Sequence, residues 1–186
     1  MPTNGKPNIF FSNTIKSPVG SALFAKLLEP DVFKGGEPTW KITLVFDDTD
    51  PEFVEFKRAV TKFAADFSKE CDKTVDPDSI FRADRQTGKP SVTFKSKVRL
   101  DDAGMPQRLP IVDENKQPTD REPWNGDSVR VAFKLGGWTS PFGVGIKPYL
   151  SAVQVVARAT RSSGGGFSAV DIFDGPPPVP ANEIPF

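Results

Sequence analysis

Lys95, Lys97 and Arg99 follow one another at a spacing of two in "SVTFKSKVRL", which in an extended chain puts all three on one face. A row of fixed cations supplies no nucleophile and no redox centre; what it does well is hold phosphates. Arg130 and Lys134 repeat the arrangement in "DSVRVAFKLGGW", and Lys147 and Tyr149 share a face in "GVGIKPYLSAVQVVARA". Trp138 comes directly after Gly136 and Gly137, a break expected to reset the strand register and swing the indole outward. Cations that track a backbone, together with aromatic faces on which bases stack at roughly 1–3 kcal/mol each, are what single-stranded nucleic-acid binding without sequence preference requires. One strand with alternating Lys and Arg is simply the solvated side of a sheet. Three such strands with Tyr149 and Trp138 among them favour the binding reading, for DNA or RNA alike.

The same inventory argues against catalysis. The chain has no histidine and one cysteine, Cys71, which has no evident base beside it. It also lacks the Gly-Lys-Ser/Thr loop that cradles nucleotide phosphates. The acid pairs Asp47/Asp48 and Asp101/Asp102 could hold magnesium in a nuclease, but both stand at strand ends beside turn residues, where Asp serves turn geometry. No catalytic residue, metal or cofactor is therefore expected.

The elements that must position these side chains are mostly strands. "SALFAKLLE" and "TWKITLVF" flank a turn at Gly35 and Gly36, with Trp40, Ile42, Leu44 and Phe46 on one face. In "SVTFKSKVRL", Val92, Phe94, Ser96, Val98 and Leu100 oppose the cations; in "DSVRVAFKLGGW", Val129, Val131, Phe133 and Leu135 point inward. Phe24, Phe46, Phe94 and Phe133 are expected in the core, although Lys26 shares the face of Phe24. One helix is predicted at about 50–70, with Asp50 as N-cap, Pro51 in the first turn, and Phe53, Phe56, Val60, Phe63 and Phe67 along one stripe. "NIFF" near the start is a candidate edge strand. The sum is a mainly β chain, most economically an OB-fold-like antiparallel barrel with one amphipathic helix.

At 186 residues the chain suffices for one domain and a tail. "SSGGGFS" reads as a flexible linker and "GPPPVPANEIPF" as a proline-stiffened extension, so the folded domain is expected to span 1–161 and the tail 162–186. The net charge of zero hides an asymmetry: the tail carries Asp171, Asp174 and Glu183 and no Lys or Arg, leaving 24 basic against 21 acidic residues elsewhere. A mildly cationic body with an anionic tail suits a nucleic-acid binder. With no apolar run near the roughly 20 residues of a membrane span and no signal-peptide layout, a cytoplasmic protein away from membranes is expected.

Two regions together resemble a known family. The ending "IPF" is similar to the tip of bacterial single-stranded DNA-binding proteins. From Val19 to Arg158 the body resembles phage-encoded single-stranded DNA-binding proteins of OB fold, chiefly in "LLEPDVFKGGEPTWKITLVFDDTDPEF" and in the block from "PIVDENKQPTD" to "WNGDSVRVAFKLGGW". The resemblance implies coating of single-stranded DNA during replication, recombination or repair. It also implies a tail that recruits partner proteins, with Phe186 as the anchor, Pro185 and Ile184 beside it, and Glu183, Asp174 and Asp171 as steering charge. The bacterial tip usually has several Asp before Ile-Pro-Phe, whereas here Asn182 and Glu183 follow "PPPVPA". Such a tail can also occupy the DNA groove until DNA displaces it. The alternative to DNA binding is a protein-interaction or virion structural module docking through its Pro-rich tail.

Overall fold

The computed structural model describes residues 10–160. The strands are β1 (Phe10–Phe11), β2 (Ile15–Lys16), β3 (Gly20–Asp31), β4 (Thr39–Val45), β5 (Phe81–Ala83), β6 (Pro90–Lys97), β7 (Ile111–Val112), β8 (Ser128–Ser140) and β9 (Gly143–Ala157). One α-helix occurs among the described residues, α1 (Pro51–Cys71), together with a 3-10 turn at Pro77–Ile80. Five strands form a ring: β3 pairs with β4, β4 with β6, β6 with β9, β9 with β8, and β8 returns to β3. This is the expected OB-fold-like barrel, with one correction to "antiparallel": β6 and β9 run parallel. The reason is arithmetic, since strand direction cannot alternate all the way round a ring with an odd number of members.

The seams are unequal. β4 and β6 stay in register from Thr39↔Lys97 to Val45↔Ser91, and the β8–β9 hairpin runs from Ser128↔Ala157 to Ser140↔Gly143. By contrast β6 meets β9 through Lys95↔Tyr149 alone, and β3 meets β8 through Gly20↔Val129 and Ser21↔Ser128. The ring is thinnest at the β6–β9 seam.

Period-two alternation builds the core as the sequence indicates. Trp40, Ile42, Leu44, Phe46, Val92, Phe94, Val129, Val131, Phe133 and Leu135 are all buried. Two residues depart from expectation. Phe24 is 65% exposed, not core: it sits at the register shift between Leu23 and Lys26, where its φ of 52° turns the side chain off the inner face and its amide is held by Asn125 Oδ1 at 2.9 Å. Leu100 is exposed because β6 ends at Lys97 and the chain enters a hairpin in which Leu100 bridges Pro106.

Helix α1 starts as read, with the Asp50 carboxylate accepting from Glu52 N–H at 2.8 Å and Pro51 in the first turn. It ends at Asp72, whose φ of 51° breaks the helical path. Its stripe of Phe53, Phe56, Val60, Phe63 and Phe67 is buried and packs on the ring and on β1 through aromatic contacts: Phe46–Phe53 at 5.3 Å, Phe56–Phe133 at 5.7 Å and, with β1, Phe10–Phe63 at 5.3 Å. β1, the described part of "NIFF", pairs with the edge of β8 at Gly136 and Gly137.

Gly136 and Gly137 do not reset the register. β8 and β9 pair continuously from Phe133↔Leu150 to Ser140↔Gly143, and the shifts lie earlier, between Ser128 and Val129 and between Ala132 and Phe133. These two glycines are needed for space. A Cβ at Gly137 would lie 2.6 Å from the Phe67 ring, and one at Gly136 would enter the Tyr149 ring. No described helix is long and apolar enough to cross a membrane. The linker and the tail residues Asp171, Asp174, Glu183, Ile184, Pro185 and Phe186 lie outside the described residues.

Candidate nucleic-acid interface

On β4 and β6 the residues between the buried ones face outward. Lys41 pairs with Lys95, Thr39 with Lys97, and Thr43 with Thr93, whose hydroxyls are 2.8 Å apart. The register then carries one row across the ring: Lys26↔Lys41 on β3 and β4, Lys41↔Lys95, Lys95↔Tyr149, and Tyr149↔Lys134. Four strand spacings of about 4.8 Å make this row about 19 Å long. It runs across the strands, with Tyr149 the aromatic member among four lysines.

A second layer lies beside it on the β8–β9 hairpin. Alternation places Lys134, Gly136 and Trp138 outward on β8 opposite Tyr149, Lys147 and Gly145 on β9. Each large ring therefore crosses to a glycine. The Trp138 indole covers Gly145, where a Cβ would come within 2.9 Å, and Tyr149 covers Gly136. Lys147 Nζ stands 5.3 Å from the Trp138 ring centroid and the Phe11 ring meets Tyr149 edge-on at 5.6 Å. Trp138 thus faces outward through alternation and a glycine seat.

At the thin seam, a cleft of about 820 Å³ opens between the end of β6, the 98–110 connection and the β8–β9 hairpin. Lys97, Arg99, Arg108 and Lys134 line it together with Phe11 and Tyr149. Its floor reaches the barrel interior at Trp40, Leu150 and Ser96, whose buried Oγ has no hydrogen-bond partner. No carboxylate is among the lining residues. Two of its cations are nonetheless met from the rim, Lys97 by Glu37 at 2.5 Å and Arg108 by Asp120 at 3.1 Å. The hydrogen bond that Lys97 donates to the Glu37 carboxylate, reinforced by that carboxylate's charge, raises the Lys97 ammonium above its ordinary value. Among the described residues Lys95, Arg99, Lys134 and Lys147 have no ion pair.

The structure therefore brings together Lys95, Lys97, Arg99, Lys134, Trp138, Lys147 and Tyr149. It does not bring Arg130 to them. Arg130 lies four residues along β8 from Lys134, and its guanidinium reaches Glu52 at the start of α1 at 2.7 Å. Sequence reasoning passed over Lys26, Lys41, Arg108 and Phe11. Lys41 was legible, since the alternation that buries Trp40 and Ile42 turns it outward. Arg108 was not, because only the hairpin closed by Asp101 returns it to the cleft. Two loop tips add exposed rings, Phe33 between β3 and β4 at 73% and Phe142 between β8 and β9 at 99%. Loops of this kind flank the ligand face of OB folds.

The acid pairs are engaged in turns. Asp47 accepts from the Thr49 hydroxyl at 2.7 Å and amide at 3.0 Å and from Lys89 at 3.1 Å, which lowers its carboxyl to about 2. Asp101 Oδ1 accepts from the amides of Ala103 and Met105 at 3.0 and 2.8 Å, and Asp113 repeats the pattern with Asn115 and Gln117, both at 2.9 Å. No group of three or more potential metal ligands occurs among the described residues.

No protein-family model and no curated protein sequence matches the chain. Solved structures do. The crystal structure of gp2.5, a single-stranded DNA-binding protein encoded by bacteriophage T7, superposes with a TM-score of 0.62 at 17% identity, covering 84% of this chain and 98% of that one. The single-stranded DNA-binding protein from bacteriophage Enc34, in complex with single-stranded DNA, gives 0.61 at 15% identity over 81% of this chain and 89% of its own. At such identities the likeness is one of fold: this chain has the barrel found in those two phage proteins.

Proposed function

We propose that the chain is a non-catalytic protein that binds single-stranded DNA with little sequence preference and protects it during phage DNA replication or recombination. The observation that carries this reading is the transverse row Lys26–Lys41–Lys95–Tyr149–Lys134 beside a cleft with four cations and no lining carboxylate. The fold likeness to two phage proteins described as single-stranded DNA-binding supports it. In this reading the lysines and Arg99 track phosphates, while Tyr149 and Trp138, seated over glycines, offer flat faces for bases. Arg130 belongs to the site only if its pair with Glu52 opens. The tail from Ser162 recruits replication or recombination proteins through Glu183, Ile184, Pro185 and Phe186, steered by Asp171 and Asp174; the support is its composition and its likeness to the bacterial tip.

The test is fluorescence anisotropy of labelled oligo(dT) over a salt series, with the full chain and with a chain shortened after Arg161. Both are expected to bind, with affinity falling as salt rises because phosphate contacts release counterions. Replacing Trp138 and Tyr149 together by Ala is expected to weaken binding by about ten-fold or more at unchanged melting temperature. Affinity that is flat in salt, or no binding by either chain, would defeat the reading and favour the docking module.

A further inference from the structure

The β3–β4 hairpin contributes more to the cationic face than an exposed ring at its tip. Asp31, the last residue of β3, bonds Lys41 Nζ at 2.5 Å, and Glu37, in the same connection, bonds Lys97 Nζ at 2.5 Å. These lysines are not isolated surface charges. Lys41 is paired across the sheet with Lys95 and Lys26, and Lys97 is paired with Thr39 one step along β6 and lines the cleft. Asp31 thus sits in the field of three lysines. The hydrogen bond from Lys41 holds its carboxyl below the ordinary value, outweighing desolvation, and the charges of Lys41, Lys95 and Lys26 add to this. A carboxylate held by several lysines on a surface suited to polyanions occupies the place where a phosphate gains most.

We infer that Asp31 and Glu37 are phosphate placeholders: in the free protein they fill two anion positions on the nucleic-acid face, and a bound strand displaces them. This rests on the single-stranded DNA reading and adds that the β3–β4 hairpin restrains affinity. The Lys97–Glu37 pair is exposed and the Lys41–Asp31 pair half-buried. Ion pairs at a protein surface are weak and screened by salt, so a strand carrying many phosphates displaces the first readily and the second by its contacts with the additional lysines. Until then they lower the effective charge of the face. Removing a placeholder therefore tightens binding, the opposite of what loss of a ligand contact does.

The experiment compares the full chain with Asp31→Asn, Glu37→Gln and the double variant, each bound to oligo(dT) over a salt series by anisotropy. Asp66→Asn, on the exposed side of α1, is the charge-matched control for each single variant, and melting curves check that each variant folds. The double variant is expected to bind about three- to ten-fold more tightly at low salt, with a steeper salt dependence because more counterions are released. Asp66→Asn is expected to stay close to the parent. Gains from Asp31→Asn and Glu37→Gln no larger than the gain from Asp66→Asn would mean a bulk-charge effect and overturn the inference, as would unchanged or weaker binding by the double variant. Failure of parent and double variant alike to bind oligo(dT) at low salt would overturn the single-stranded DNA reading itself.

Discussion

Two adjacent glycines separate stability from binding at the scale of single residues. Gly137 faces the helix, where an added methyl would collide at 2.6 Å with the Phe67 ring, itself buried in the core. Gly137→Ala is expected to cost about 1–3 kcal/mol, the usual range for overpacking, read as a lower midpoint in urea with little change in oligo(dT) affinity per folded molecule. Gly136 faces outward beneath Tyr149, a half-exposed ring that can tilt away. Gly136→Ala is expected to displace that ring from the lysine row, weakening DNA binding several-fold while the urea midpoint moves little. If the two variants behaved alike, the ring would not be seated as a platform. Neither role can be read from "LGGW" alone. A glycine pair signals a break, and what fixes these two is the ring arriving from another element.

At the scale of elements, what the sequence disclosed follows a simple rule: features set by local periodicity were legible, and those set by closure were not. The stripe Phe53–Phe56–Val60–Phe63–Phe67 needed no partner to be recognised as a buried helix face, and the Asp50–Pro51 start is local chemistry. The outward lysines of β6 followed from alternation. That Lys95 stands beside Tyr149, 54 positions later, depends on the odd-membered ring forcing β6 and β9 parallel at one pair, and no local pattern encodes it. Phe24 was misread because a bulge interrupts the alternation at that point. The helix stripe also carries a prediction. Phe56 touches Phe46, Phe53, Phe81 and Phe133, so Phe56→Ala is expected to destabilise the fold by about 3–5 kcal/mol, measured by chemical denaturation. A cost below about 1 kcal/mol would mean that α1 is only loosely applied to the barrel.

At the scale of the whole molecule, the barrel is fastened at the end away from the cleft by one buried carboxylate. Asp127 accepts from Trp124 N–H at 3.0 Å, from Ala159 N–H at 2.8 Å and from Arg158 Nη1 at 2.8 Å, while Arg158 also reaches the carbonyl oxygen of Glu122 at 3.1 Å. This ties the end of β9 to residues 122–127, which run beside β3 through the Ala22 N–H to Asp127 carbonyl bond at 2.8 Å and the Gly126 N–H to Ala22 carbonyl bond at 2.9 Å. The fastening supplements the short β3–β8 seam. Desolvation acts to raise the Asp127 carboxyl, but the bonds from Trp124, Ala159 and Arg158 outweigh it and hold the group below its ordinary value of 3.8. A carboxyl depressed in the folded state contributes stability that is complete above its unfolded value and lost as pH falls through the folded one. The melting temperature is therefore expected to fall as pH drops below about 4. Asp127→Asn keeps the shape but loses the charge and leaves an amide group where two N–H donors converge, which is expected to cost about 1–3 kcal/mol at neutral pH. Its melting temperature should change less than the parent's between pH 5 and pH 3. Parallel acid profiles for the two proteins would place the pH-sensitive fastening elsewhere. Because Arg158, just past the end of β9, lies nine residues from Tyr149, the substitution should weaken the barrel without a comparable loss of oligo(dT) affinity at temperatures where both proteins are folded, so that closure and binding are separable properties of one ring.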